Sequence, residues 1–167
     1  MYKRQALDGW TIEISDHATD VDVAELREAV ERFNVDRTGY SDGRSLSCFL
    51  RDPDGRLRAG IDGFTWGGYA KIEFLWVDEP LRGRGLGRRL VEAAIDEARA
   101  RGCGVVVVDT HTFQAPQLYG KLGFVEVGRT HGTPRGWGQV YFAQSLAQPP
   151  TPSPGGDAGV GDLRDGR

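Results

Sequence analysis

Between an apolar stretch, Ile72–Val77, and an amphipathic one beginning near Leu86, the chain reads Arg82-Gly83-Arg84-Gly85-Leu86-Gly87. A strand that enters a glycine-rich turn and leaves as a helix gathers free backbone N–H groups at one point. The helix dipole adds partial positive charge there. Four arginines, Arg82, Arg84, Arg88 and Arg89, crowd the same turn. Cations at a helix N-terminus oppose the dipole, so the crowding is unfavourable unless an anion sits among them. The junction therefore asks for an α/β fold with a phosphate-bearing ligand at this turn.

The spacing narrows the ligand. A dinucleotide fingerprint starting at Gly83 needs a third glycine at position 88, where Arg88 stands. No Gly-Lys-Ser/Thr follows, which removes the P-loop. The formal net charge of −3 confines the basic character to this turn, so a small anion fits better than a nucleic acid. No apolar run approaches about 18 residues, and the first residues lack a signal-peptide pattern, so no membrane partner is expected. Cys48 and Cys103 both fall inside expected regular elements, which suits a reducing, cytoplasmic location. His17, His111 and His131 lie on separate segments without ligand spacing, so no metal is expected.

With 167 residues the chain is long enough for one well-buried domain. Met1–Gln5 resemble the translation of a sequencing adaptor read from a GTG start, as in a truncated gene fragment, and no structure is read from them. Thr11–Ser15 reads as a first strand, and Val23, Leu26, Val30 and Phe33 form one helical stripe after Asp22. A polar stretch from Asn34 to Ser45 is expected as a loop. Ser45–Arg51 and Arg56–Phe64 flank Asp52-Pro53-Asp54-Gly55, a hairpin signal. Trp66-Gly67-Gly68-Tyr69 turns the chain into a fourth strand, Ala70–Val77. The helix from Leu86 to Arg101 follows, stopped by Gly102. Val105–Val108 is a β-branched run typical of a fully buried strand and opens the fifth. A short helix, Pro116–Leu122, precedes two last strands, Phe124–Thr130 and Gln139–Leu146. The ordered domain spans 6–146, and the Pro- and Gly-rich tail 147–167 is expected to be disordered.

The central stretch resembles the GNAT superfamily of acetyl-CoA-dependent N-acetyltransferases. The family signature Arg/Gln-x-x-Gly-x-Gly/Ala is matched by Arg82, Gly85 and Gly87. A second signature, an Ala four residues before a Tyr and then Leu-Gly-Phe, is matched by Ala115, Tyr119 and Leu122-Gly123-Phe124. Gln114-Ala115-Pro116 with Tyr119-Gly120-Lys121-Leu122 looks like one branch of bacterial members. The resemblance covers Thr11 to Leu146. It implies a mixed, mostly antiparallel sheet flanked by helices, with a cofactor-binding splay between the fourth and fifth strands.

The resemblance also implies roles. The backbone N–H groups of Arg82, Gly83, Arg84, Gly85, Leu86, Gly87 and Arg88 would wrap the pyrophosphate of coenzyme A. The pantetheine arm would lie along Leu75-Trp76-Val77. Ala115 belongs to the same wall. Thr112, where many relatives carry Asn, would offer a hydroxyl to the cofactor. Glu73 is the leading base for an amine with a pKa near 10, although some relatives place the base at the position of Lys71. Alternation puts Glu73 on the face opposite Phe74. A backbone N–H near Trp76 or Val77 would stabilise the oxyanion. Tyr119 would donate a proton to the leaving thiolate.

Plainer readings stay open beside these. Glu73 can be a surface carboxylate paired with Lys71 or an arginine, and Tyr119 a packing residue with a satisfied hydroxyl. The implied activity is acetyl transfer from acetyl-CoA to the amine of a small molecule or peptide, by direct attack in a ternary complex. No activated Cys or Ser calls for an acyl-enzyme. The alternative is a non-catalytic acyl-CoA-binding sensor or partner module of the same fold. A homodimer stays open.

Overall fold

The computed structural model describes residues 3–7 and 9–146. Backbone contacts divide the chain into two compact units, one ending at Ser41 and one beginning at Asp42. The expected tail 147–167 lies outside the described residues.

The first unit holds β1 (Lys3–Leu7), β2 (Trp10–Ile14) and α1 (Asp20–Thr38). β1 and β2 pair antiparallel, from Lys3↔Ile14 to Leu7↔Trp10. The adaptor-like residues Lys3–Gln5 thus belong to a strand, since any extended segment can pair its backbone with a neighbouring strand. α1 starts at Thr19, whose hydroxyl accepts from Asp22 N at 3.1 Å. The helix continues past Asn34, where a loop was expected, because no Gly or Pro interrupts it before Gly39. That glycine ends it in the left-handed region at φ +73°, its N–H bonding Val35 O.

The second unit is built on a seven-stranded sheet. Its strands are β3 (Arg44–Ser45), β4 (Cys48–Arg51), β5 (Leu57–Trp66), β6 (Tyr69–Val77), β7 (Val105–His111), β8 (Val125–His131) and β9 (Gly138–Ser145). They run in the order β3-β5-β6-β7-β9-β8, with β4 also on β5. α2 (Leu86–Ala100) and α3 (Pro116–Lys121) complete the unit. Every strand pair in this sheet is antiparallel except β6–β7.

The Asp52–Gly55 turn closes as expected. Gly55 N donates to Asp52 O at 2.9 Å, and the Asp52 carboxylate accepts from the N–H groups of Asp54 and Arg56. The strand expected over Ser45–Arg51 is broken at Leu46-Ser47. Leu46 turns into the core and donates to Gly63 O at 2.9 Å, while the Ser47 hydroxyl bonds the Asp62 carboxylate. The break lies opposite Asp62-Gly63 of β5, where the register with β6 shifts.

α2 buries Leu90, Val91, Ala94, Ile95 and Ala98 and packs on β5 and β6. Those positions are the apolar stripe of the sequence, and they meet Ile61, Ile72 and Val106 in one cluster. The β-branched run of β7 alternates between fully buried Val106 and Val108 and half-buried neighbours, so it covers one face more completely than the other.

Candidate active site

The site begins where two parallel strands part. β6 and β7 pair from Tyr69↔Val105 to Ile72↔Val108 and no further, although both strands continue. Beyond Ile72 the β7-facing edge of β6 is open, while β5 still covers the other edge from Asp62↔Phe74 to Ala59↔Val77. An open strand edge is the surface on which an extended amide chain can pair.

A bulge sits at the opening. The β5–β6 register shifts between Asp62 and Gly63, which face Phe74 and Ile72, so Glu73 is the extra residue. Gly63 is required there: a Cβ would stand 1.9 Å from Lys71 O. The bulge overturns the expected alternation. Glu73 and Phe74 are both exposed, and both line the same cavity. Core-facing phase resumes one residue later, with Leu75 and Val77 half-buried.

The splay opens into a cavity of about 810 Å³. At one end lies the glycine turn. Gly83 and Gly85 sit in the left-handed region at φ +75° and +77°, where a side chain is strained. Gly85 is the N-cap of α2 and offers no capping side chain, and the first turn carries no acidic residue. The first helical hydrogen bond runs from Arg89 N to Gly85 O at 3.1 Å. The N–H groups of Leu86, Gly87 and Arg88 have no preceding turn to bond, which leaves them for an anion.

Gly87 needs no positive φ; a Cβ there would only touch Leu118 and Val77, both beyond 3.6 Å at 3.7 and 3.9 Å. Arg82 differs from the expectation in one respect. Its N–H is already bound to Glu79 O, and its Nε donates to Val77 O at 3.0 Å, tying the guanidinium to the end of β6. Arg88 Nε donates to Glu92 at 2.8 Å, the pair read from the helical spacing.

The opposite wall comes from β7 and α3. Tyr119 is 5% exposed, packed against Phe124 and Phe142 at ring distances of 5.6 Å, and lines the cavity. Burial, then the nearby Asp109 charge, pushes its phenol from 10.0 up to about 12. The packing and functional readings of Tyr119 thus coexist, since one edge of the ring is core and the other is cavity wall.

Glu73, Leu75, Trp76, Val77, Arg82, Gly83, Gly85, Leu86, Gly87, Arg88, Ala115 and Tyr119 all line this one cavity. Arg84 and Thr112 do not. The Thr112 hydroxyl accepts from Gly138 N at 3.1 Å, and its N–H bonds Gly138 O, which binds the residue to β9. Gln114 stands in the wall instead. Its Oε1 accepts from Thr110 Oγ1 and His111 N, each at 2.8 Å, so the amide NH₂ is the free half of the group.

Sequence reasoning also missed Asp109, Phe113 and Leu118, which line the cavity. Asp109 follows a run of valines at a strand end, where a carboxylate reads as a solvated terminus. Only the pairing of β7 with β6 places it beside the splay.

Residues 12–124 match the family model described as Acetyltransferase (GNAT) family. An acetyltransferase of Agrobacterium fabrum is 34% identical over 103 residues, covering 62% of this chain and 75% of its own. A blasticidin-S acetyltransferase of Streptomyces morookaense is 42% identical over 94 residues, covering 53% and 68%. Among solved structures, an acetyltransferase from Agrobacterium tumefaciens superposes with a TM-score of 0.76 at 29% identity, over 80% of this chain and 97% of that one.

Proposed function

The chain belongs to the GNAT family of acetyltransferases, and on that premise we propose that it moves the acetyl group of acetyl-CoA to a primary amine, in the cytoplasm, by direct attack within a ternary complex. The observation that carries the proposal is the single cavity. It joins an anion-binding helix N-terminus, an open strand edge, a carboxylate on a bulge and a protonated buried phenol.

Each part has a chemical task. The turn around Gly85 holds the pyrophosphate of the donor through the N–H groups of Leu86, Gly87 and Arg88, with the Arg82 and Arg88 side chains alongside. The β6 edge from Glu73 to Val77 pairs with the amides of the pantetheine arm. Glu73, directly or through water, takes the proton that an ammonium must lose before it can attack. The amine nitrogen then bonds the thioester carbonyl carbon, and a β6 backbone N–H near Trp76 or Val77 stabilises the oxyanion. On collapse the C–S bond breaks and Tyr119 gives its proton to the departing thiolate. A phenol that ionises only near pH 12 stays protonated for that step at neutral pH.

Acetyl-CoA consumption measured over an amine panel tests the reading. Turnover with at least one primary amine is expected. Glu73→Gln and Tyr119→Phe should then each lower kcat by roughly ten- to a thousand-fold, with acetyl-CoA binding by calorimetry unchanged. Tight acetyl-CoA binding with no turnover on any amine would instead identify a sensor module, and a covalent acetyl-cysteine would remove the ternary-complex mechanism.

A further inference from the structure

The cavity is electrostatically two-ended. Among its lining residues the cations are Arg82 and Arg88, both at the helix turn, and the anions are Glu73 and Asp109, both at the point where β6 and β7 part. Pairing stops at Ile72↔Val108, so Glu73 and Asp109 are the next residue on each strand. The donor's pyrophosphate accounts for the arginine end. Nothing in the donor accounts for Asp109.

Asp109 is a held carboxylate rather than a loose surface group. Its Oδ2 accepts from Gln139 Nε2 at 2.5 Å, a bond that runs across to β9 and fixes the side chain. Its Oδ1 stands 3.9 Å from Lys71 Nζ, which is too far for a hydrogen bond. An ion pair at that distance, with both side chains about one-third exposed, adds little stability. The charge reaches Tyr119 and Tyr69, and Glu73 acts on Tyr69 as well, so both carboxylates lie within electrostatic reach of one phenol. The reacting amine must stand beside the thioester, between its base and the proton donor. Asp109 lines the same cavity as Glu73 and Tyr119, and among the described residues no hydrogen bond reaches its Oδ1.

We propose that Asp109 seats the acceptor through its ammonium group, and that the acceptors of this protein are therefore cationic amines carrying no anionic substituent near the reacting nitrogen. The proposal rests on the acetyltransferase reading above and adds the acceptor class to it. Oδ1 accepts a hydrogen bond from the ammonium, Glu73 removes the proton, and Lys71 sets an upper limit on how much positive charge the seat tolerates. Phosphorylated or carboxylated amines meet two carboxylates at this end and are disfavoured.

The test uses the full chain saturated with CoA, so that no transfer occurs, titrated calorimetrically with butane-1,4-diamine and with aniline, which is uncharged at neutral pH. The wild type should bind the diamine, and Asp109→Asn should weaken that binding by roughly ten- to a hundred-fold, the range for one hydrogen bond to a charged group. Aniline and CoA affinities should stay within about twofold, within the context scatter of a single contact. Lys71→Met should tighten the diamine several-fold, a gain that a misfolded variant cannot produce.

In turnover, Asp109→Asn should raise the diamine KM by the same factor and leave kcat nearly unchanged. Equal diamine affinity in wild type and Asp109→Asn overturns the proposal. So does a parallel loss for aniline, a fall in kcat at constant KM, or a wild type that binds no cationic amine. Diamine binding that depends on Asp109 without any turnover would sink the acetyltransferase reading and leave the ammonium seat standing.

Discussion

The proton transfer proposed for Tyr119 requires that the phenol keep its proton until the thiolate leaves, and its surroundings favour that form. Burial and the Asp109 charge both penalise the phenolate, lifting ionisation from 10.0 to about 12. In the unfolded chain the phenol ionises near its ordinary value, so the folded state holds the proton over the interval between the two. That linkage stabilises the fold fully below pH 10 and is lost as pH rises from 10.0 to about 12, about 3 kcal/mol in all. Urea denaturation at stepped alkaline pH should therefore show the wild type losing that much more stability over the interval than Tyr119→Phe. Parallel pH curves would mean that the phenol is not buried against Asp109. At this scale the motif spacing picked out residues that line one cavity, Tyr119, Ala115, Gly83, Gly85 and Gly87, because each answers to a local requirement of backbone or chain position. It did not bring Thr112 into the cavity lining; its hydroxyl accepts from Gly138 N on β9. Nor did it reveal Asp109, whose place depends on strands remote in sequence, or that Thr110 and His111 hold the Gln114 amide in the cavity wall.

In the proposed mechanism the strand β6 carries most of the chemistry because of one irregularity. An unbulged β6 would keep Glu73 and Phe74 on opposite faces; the extra residue brings both to the cavity and turns Leu75 and Val77 toward the core. Gly63 permits it. Gly63→Ala would place a methyl 1.9 Å from Lys71 O, a backbone atom that cannot yield without moving the strand. A loss on the order of 3 kcal/mol is expected in urea denaturation, accompanied by weaker acetyl-CoA binding. Gly104 serves as the control, since a Cβ there meets nothing within 4 Å and its φ is ordinary; Gly104→Ala should cost about 0.5 kcal/mol or less. Were both variants equally stable, the bulge would not be held as described. The elements themselves were readable where periodicity was long. α2 runs from Leu86 to Ala100 on the face that its apolar spacing marks, and the Asp52–Gly55 hairpin closes on its turn residues. The bulge, and the break at Leu46-Ser47 opposite it, were not readable, since a register shift has no signature in one strand alone.

Taken whole, the second unit holds a cavity with two arginines and the N-terminus of α2 at one end and two carboxylates at the other. If the arginine end grips the donor's pyrophosphate, ligands should stabilise the fold according to whether they carry it. CoA at about a hundred times its Kd adds about 2.7 kcal/mol, or roughly 10 °C in Tm for a domain of this size. Pantetheine, which lacks the pyrophosphate, should give a much smaller shift at the same concentration. A thermal shift of equal size for both would place the binding energy on the β6 edge instead. The amino-acid sequence by itself determined the family, the α/β class, the glycine turn at the start of α2 and the place of the phenol, because each rests on contacts within a few residues or on a motif of fixed spacing. Only the tertiary structure decided how wide the cleft opens, which carboxylates face each other across it, and which polar side chains remain free to meet a substrate. Those depend on where the pairing of β6 with β7 stops and on which hydroxyls and amides β9 has already claimed, and such relations exist only between segments that folding brings together.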